Sequence, residues 1–296
     1  MTPTIGRPAL IALVALFSLL WSSAFVAGKV AVQELSPIMT LVLRFGISLA
    51  IMLPFCLMRP ALLFDRQTIA TASLLGVLNN AVYLGFTFSA LAFISPALVV
   101  VIVSCAPFIT TLVTAVLRIE RFSALKTLGI VLGFAGVVVI TGVNVSRTDL
   151  LGMALAFAGT IAFACATVLF RDTSRGLPVL QVNFWQSAAG AVALLPVLFL
   201  QGAQIPALSM PTVLALVYLA VVATIGGMAL WLILIRMSGA TTASSYHLLN
   251  PVFGVLLSFA VFGTAMKPTD FIGAAIIAAG LALTMLASRP GADKQA

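Results

Sequence analysis

Ten apolar runs, each close to the length needed to cross a bilayer, leave this chain few folds. They cover roughly 8–28, 36–58, 70–90, 95–117, 124–143, 150–170, 181–200, 211–232, 241–262 and 270–287. About 20 apolar residues span the hydrocarbon as a helix, and without water there the helix satisfies its backbone polar groups internally. Only 7% of the residues are charged, against about 25% in a soluble domain. The expectation is an all-α membrane protein solvated by lipid. The connections are too short for an ATP-hydrolysing module, and no G-x-x-x-x-G-K-[ST] loop is present, since Gly28–Lys29 lacks the upstream glycine. The first run follows Arg7 in the manner of a signal peptide, but nine more runs come after it and it has a counterpart later in the chain. Cys56, Cys105 and Cys165 all fall inside apolar runs and read as small buried residues, with no disulfide or metal role.

The net charge of +8 raises the possibility of a nucleic-acid partner, and its placement argues against one. With the N-terminus placed inside, the inner loops and tails carry Arg7, Arg59, Arg66, Arg118, Arg121, Lys126, Arg171, Arg175, Arg236, Arg289 and Lys294. The outer loops carry only Lys29, Arg147 and Lys267. An excess of Lys and Arg on one side marks the cytoplasmic face, so both termini are expected in the cytoplasm. The bilayer accounts for the basic balance.

The chain repeats itself. A shift of 144 residues carries Pro107 onto Pro251, Gly129 onto Gly273 and Gly136 onto Gly280. A shift of about 142 carries Trp21 onto Phe163, Lys29 onto Arg171 and Pro54 onto Pro196. The first five runs (1–146) thus match the second five (147–296), and because five is odd the halves enter the membrane from opposite sides. The expected fold is ten transmembrane helices as two inverted five-helix repeats, N-in and C-in. Inverted repeats with matched broken helices are the architecture of alternating-access carriers, whose sites lie near the midplane between the repeats.

Several pieces together carry a family resemblance. They are Trp21–Ser22–Ser23–Ala24–Phe25 followed by Lys29, Ser36–Pro37 with Leu43–Arg44–Phe45, and Pro107 with Glu120 and the Gly129/Gly136 run. In this order, and with the internal repeat, the chain resembles a ten-helix EamA-type member of the drug/metabolite transporter superfamily. The resemblance implies transport of small polar or amphipathic metabolites, commonly export. The family often has an acidic residue after the fourth helix of each repeat; here the first repeat has Glu120 and the second has Thr264.

Within that frame, the stretch Gly239–Pro251 concentrates polar side chains in an apolar run. It contains Tyr246, Asn250 and His247, the sole histidine. Ala243, His247, Asn250, Gly254 and Ser258 form one stripe at helical spacing, suited to a cavity wall. His247 serves there either as a hydrogen bond to a neighbouring helix or as a substrate contact or proton-responsive group. Pro251 and Pro107 cannot donate to the carbonyls of His247 and Val103, so each is expected to kink its helix near the midplane and free an acceptor. Asn79, Asn80 and Tyr83 lie mid-run and either glue helices together or bind ligand. Trp21 lies far from either interface and lines a cavity or packs in the core, with Phe163 as its repeat-mate. Trp185 and Trp231 fall near inner ends of their runs and are expected in the interfacial belt. Arg44 is expected to be a structural or gating anchor, with carboxylate binding as the alternative.

Absences narrow the chemistry. Glu34, Asp65, Glu120, Asp149, Asp172, Asp270 and Asp293 all lie in loops, at run edges or in the tail. Without a midplane carboxylate, a cationic substrate lacks a counter-charge, and neutral, zwitterionic or amphipathic solutes fit better. Enzyme activity is not expected. An intramembrane aspartyl protease needs two carboxylates, and Ser244 near His247 comes without a G-x-S-x-G turn. The expected function is a carrier exporting amino acids, aromatic or apolar ones among them, with nucleosides, sugars and drug-like amines open. Runs 1, 3, 4, 6, 8 and 9 are expected to line its cavity, and Gly226–Gly227 to allow close approach or bending. The alternative is a non-transporting scaffold. No cofactor or metal is implied, and the protein is expected to be a monomer or a weak homodimer.

Overall fold

The computed structural model describes residues 6–90, 93–94, 96–120, 123–142, 150–173, 176–202, 207–263 and 265–287. Ser95, Arg121, Arg147, Asp149, Arg175, Thr264, Arg289, Asp293 and Lys294 lie outside them, as do the side chains of Arg7, Phe25, Lys29 and Ser258. Every regular element among the described residues is helical. The first half contains α1 (Arg7–Ala31), α2 (Pro37–Leu57), the short α3 (Pro60–Leu63), α4 (Arg66–Leu75), α5 (Leu84–Ala90), α6 (Pro96–Val103), α7 (Ala106–Val116) and α8 (Ala124–Thr141). The second contains α9 (Leu150–Thr173), α10 (Val179–Leu200), α11 (Met210–Tyr218), α12 (Met228–Ser238), α13 (Ala240–Ser245), α14 (Asn250–Phe262) and α15 (Pro268–Ala287).

Among the described residues, eight stretches are long and apolar enough to cross a membrane, Arg66–Ala90 and Met210–Ser238 included. The runs expected at 95–117 and 241–262 are each divided. The first breaks between α6 and α7, and the second passes through a 3-10 turn, Tyr246–Leu249, between α13 and α14. Pro107 and Pro251 each occupy the second position of the helix that restarts, where a missing N–H costs nothing. The break at Pro251 does not leave the His247 carbonyl free as expected, because the Asn250 N–H tightens onto it in the 3-10 turn.

Two further stretches are wound as π-helix, Gly76–Tyr83 joining α4 to α5 and Leu219–Gly227 joining α11 to α12. Both pack on helices of the other half. Asn80 donates its side-chain amide to the Gln186 carbonyl of α10 at 3.1 Å. Ser48 of α2 donates to the Ala220 carbonyl at 3.2 Å. Within the second half, Asn183 of α10 donates to the carbonyls of Thr224 at 2.9 Å and Ile225 at 3.2 Å, acceptors that π winding leaves available. Gly226 and Gly227 contribute winding and not close approach, since a Cβ on either would meet nothing nearer than 3.4 Å.

Close approach occurs instead between α8 and α15. A Cβ at Gly129 would lie 2.5 Å from the Gly280 carbonyl, and one at Gly136 would lie 2.7 Å from that of Gly273. Ascending residues in α8 meet descending residues in α15, so the two run antiparallel, backbone against backbone. Side chains such as Ile11, Phe55, Leu112, Val192 and Phe271 project outward. An apolar exterior of that extent requires lipid as its solvent.

Candidate functional site

The interior is organised around a cluster of rings. His247 stands edge-on to Trp231, Phe17, Trp21 and Phe163, with centroids 4.6, 5.0, 5.0 and 5.0 Å away and interplanar angles between 70° and 88°. Trp231 stacks on Phe17 at 5.3 Å and on Phe163 at 5.5 Å, and Phe163 meets Tyr83 at 4.7 Å. Edge-to-face imidazole and stacked rings are the favourable arrangements for such quadrupoles. His247 Nδ1 lies 3.0 Å from the Asn250 side-chain amide, while His247 Nε2 and Asn250 Oδ1 are buried without a hydrogen-bond partner.

The expected place of Trp231 in the interfacial belt is therefore corrected: the ring is fully buried. The helix continues to Ser238, seven residues past Trp231, or about 10 Å at ~1.5 Å per residue. Reading the run as ending at 232 placed the residue at the wrong depth. Trp185 is half-buried, and its indole N–H donates to the Leu63 carbonyl at 2.8 Å, tying α10 to α3.

Beside the rings lies a partly open cavity of about 70 Å³, narrower than most small-molecule sites, so a solute must widen it to enter. Of the residues singled out in the sequence, Trp21, Arg44, Tyr83, His247 and Asn250 line it. Phe163 is a second-layer ring. Tyr246 is buried and donates its hydroxyl to Ser238 Oγ at 2.8 Å. Asn79 and Asn80 are buried away from the cavity lining, and Asn80 joins α10. Pro107 and Pro251 lie outside the lining also, but the broken helices they restart contribute Val103, Ser104, His247 and Asn250 to it. Val103 and His247 are repeat-mates, so the two breaks face one space.

Sequence reasoning missed Phe17, Phe88 and Met228. Phe17 precedes Trp21 by one helical turn, so the face of a mid-membrane aromatic was the available signal. The Trp21–Ser22–Ser23 motif joins helices: Ser22 donates to the Asn250 carbonyl at 3.0 Å, and Ser23 Oγ accepts from the Tyr218 hydroxyl at 2.8 Å.

One side of the cavity is closed. Ser244 of α13 donates to Thr110 of α7 at 3.2 Å, and Thr241 and Thr114 pair at 3.3 Å. The Glu120 carboxylate accepts from the backbone N–H groups of Ala240 and Thr241, capping α13. This uses Ser244 structurally and separates it from His247. On the other side α6 lies chiefly on α9 and α8, and α14 chiefly on α1.

A helical membrane protein with an internal cavity lined from both halves of a repeated chain has the form of a membrane transporter. The EamA-like transporter family matches residues 9–142 and again 150–286. The chain belongs to that family. It is 27% identical over 284 residues to the "Probable amino-acid metabolite efflux pump" of Salmonella typhimurium, covering 91% of this chain and 92% of that protein. It is 27% identical over 278 residues to the "Uncharacterized inner membrane transporter YedA" of Escherichia coli K12, covering 92% and 90%. A solved crystal structure shares the fold at a TM-score of 0.81 and 23% identity, covering 96% of this chain and 99% of that one.

Proposed function

We propose that the protein is an alternating-access exporter of amino acids or related amphipathic solutes, residing in a bacterial inner membrane. Its working unit is ten membrane segments in two inverted repeats, 1–146 and 147–296, with both termini cytoplasmic. The antiparallel packing of the repeat-mates α8 and α15 supports the inversion, and the distribution of Lys and Arg supports the orientation. The observation that carries the reading is the cavity itself. It is lined from both halves, rich in aromatic and apolar surface, supplied with a few polar groups, partly open, and sealed where α7 meets α13. A scaffold has no use for such a cavity between matched broken helices. The name of the Salmonella relative supports amino-acid metabolites as the first substrates to test.

In this reading Trp21, Tyr83, His247 and Asn250 contact the solute, Phe163 buttresses the ring cluster, and Arg44 sits at the cavity wall. The matched breaks at Pro107 and Pro251 let one repeat rock against the other. The test is counterflow in proteoliposomes, with and without a pH gradient, across amino acids, nucleosides, sugars and amines. Exchange of amino acids by wild type, and its loss in His247→Ala at unchanged expression and melting temperature, is expected. Full exchange by that variant removes His247 from the site. No exchange of any solute leaves a scaffold.

A further inference from the structure

Arg44 is a cation in the cavity wall without an anion. It is 7% exposed, it lines the cavity, and among the described residues no carboxylate pairs with it. Its Nε donates to Thr224 Oγ1 at 2.9 Å, and its guanidinium lies 5.4 Å from the Phe45 ring centroid. Thr224 Oγ1 in turn donates to the Leu219 carbonyl at 3.1 Å, five residues back in the π-wound stretch. The hydroxyl proton is therefore committed to Leu219 and its lone pair to Arg44. This arrangement fixes the guanidinium plane through Nε and leaves the two Nη groups without an acceptor among the described residues. A planar fork of N–H donors held at one edge matches the two oxygens of a carboxylate.

The rest of the cavity completes the selection. Its lining contains one fixed cation and no Asp or Glu. Ala24, Leu84, Phe88, Val99 and Val103 supply apolar surface, and Trp21 and Tyr83 supply ring faces. A monoanion is balanced there, whereas a dianionic phosphate is left half-compensated. An ammonium group finds no counter-ion, only ring faces and the unpartnered Asn250 Oδ1, which accepts equally from a neutral hydroxyl.

We infer that Arg44 binds the carboxylate of the transported solute, and that the cavity selects organic monocarboxylates with an apolar or aromatic body, tolerating the α-amino group without requiring it. The inference rests on reading this cavity as the transport site. It extends the substrates from amino acids to their deaminated acids and excludes the matching amines and amides.

The experiment is a matched series on purified full-length protein, read by ligand-induced thermal stabilisation and by counterflow. The probes are phenylalanine, 3-phenylpropionate, phenylalaninamide and phenethylamine. The two acids are expected to bind wild type within about threefold of each other. The amide and amine are expected to need at least about tenfold higher concentrations. Arg44→Gln is expected to remove this preference, and Arg44→Lys to restore part of it. If Arg44→Gln does not fold, the wild-type series alone decides. Equal binding of the amide or amine, or an absolute need for the amino group, overturns the inference and leaves the transporter reading standing. So does counterflow confined to solutes without a carboxylate. Failure of all four probes together with failure of every solute to exchange overturns both.

Discussion

Trp231 stacks on both Phe17 and Phe163 and supports the imidazole of His247, so its removal would open a void in the centre of the molecule. Truncating a buried aromatic leaves a cavity that neighbouring rings cannot fill without leaving their rotamers. Trp231→Ala is expected to lose about 3–5 kcal/mol. Trp231→Phe should keep most of the stacking and lose less than half of that. Thermal denaturation in a mild detergent checks both, and an unchanged midpoint in Trp231→Ala would show that the ring bears no packing. At this scale the sequence was informative where polarity or aromaticity contradicted depth. Trp21, Tyr83, His247 and Asn250 were visible because an apolar run gives such side chains no other solvent than protein or cavity. Phe17 was invisible, because a phenylalanine in an apolar run has the same composition facing lipid, core or cavity. Trp231 was misplaced through an error of a few residues in the end of its helix.

Element boundaries explain that error. The matched prolines announced two broken helices, and both breaks occur. Nothing in Gly76–Tyr83 or Leu219–Gly227 announces π winding, which arises from packing: Gly76 abuts the Gln186 backbone, and Ala220, Thr224 and Ile225 give carbonyls to α2 and α10. The glycine spacing of α8 and α15 was legible as a packing signal, but its partner was not, because Gly129/Gly133 serves a dimer or an internal contact equally well. The structure places that contact inside the chain. Gly280→Leu is therefore expected to cost about 3 kcal/mol or more, the upper end of overpacking, since its Cβ would press on the Gly129 carbonyl and the Gly133 amide at 2.5 Å. Gly254→Ala, where a Cβ meets nothing within 4 Å, should stay within about 1 kcal/mol of wild type. Melting curves of the two variants separate a backbone contact from a general intolerance of glycine replacement. Equal destabilisation would contradict the packing described.

At the scale of the whole molecule, the cavity is sealed where α7 meets α13, while α6 and α14 lie chiefly on other helices. In the proposed orientation the seal lies on the cytoplasmic side, which makes this an outward-facing end state of the proposed cycle. Glu120 bears on its population. Its carboxylate belongs to the first repeat but caps a helix of the second, and a Cβ at Gly239 would collide with it at 2.6 Å. Hydrogen bonds to a charged group contribute about 1.5–3 kcal/mol each when buried. This group is half-buried, so losing both should favour the inward-open state by about 1–2 kcal/mol, or roughly tenfold in population. The check is thiol accessibility in a chain whose Cys56, Cys105 and Cys165 are replaced by Ala. Thr87→Cys, on the cavity wall, should react with a membrane-impermeant maleimide added outside intact cells. Ser244→Cys, buried in the seal, should resist the reagent from either side. Adding Glu120→Ala should speed the reaction of Ser244→Cys in inside-out vesicles and slow that of Thr87→Cys in intact cells. A cap that serves stability alone would leave both rates unchanged while lowering the melting temperature, and fast labelling of Ser244→Cys in the unaltered background would show that the seal described is not the resting state of the protein.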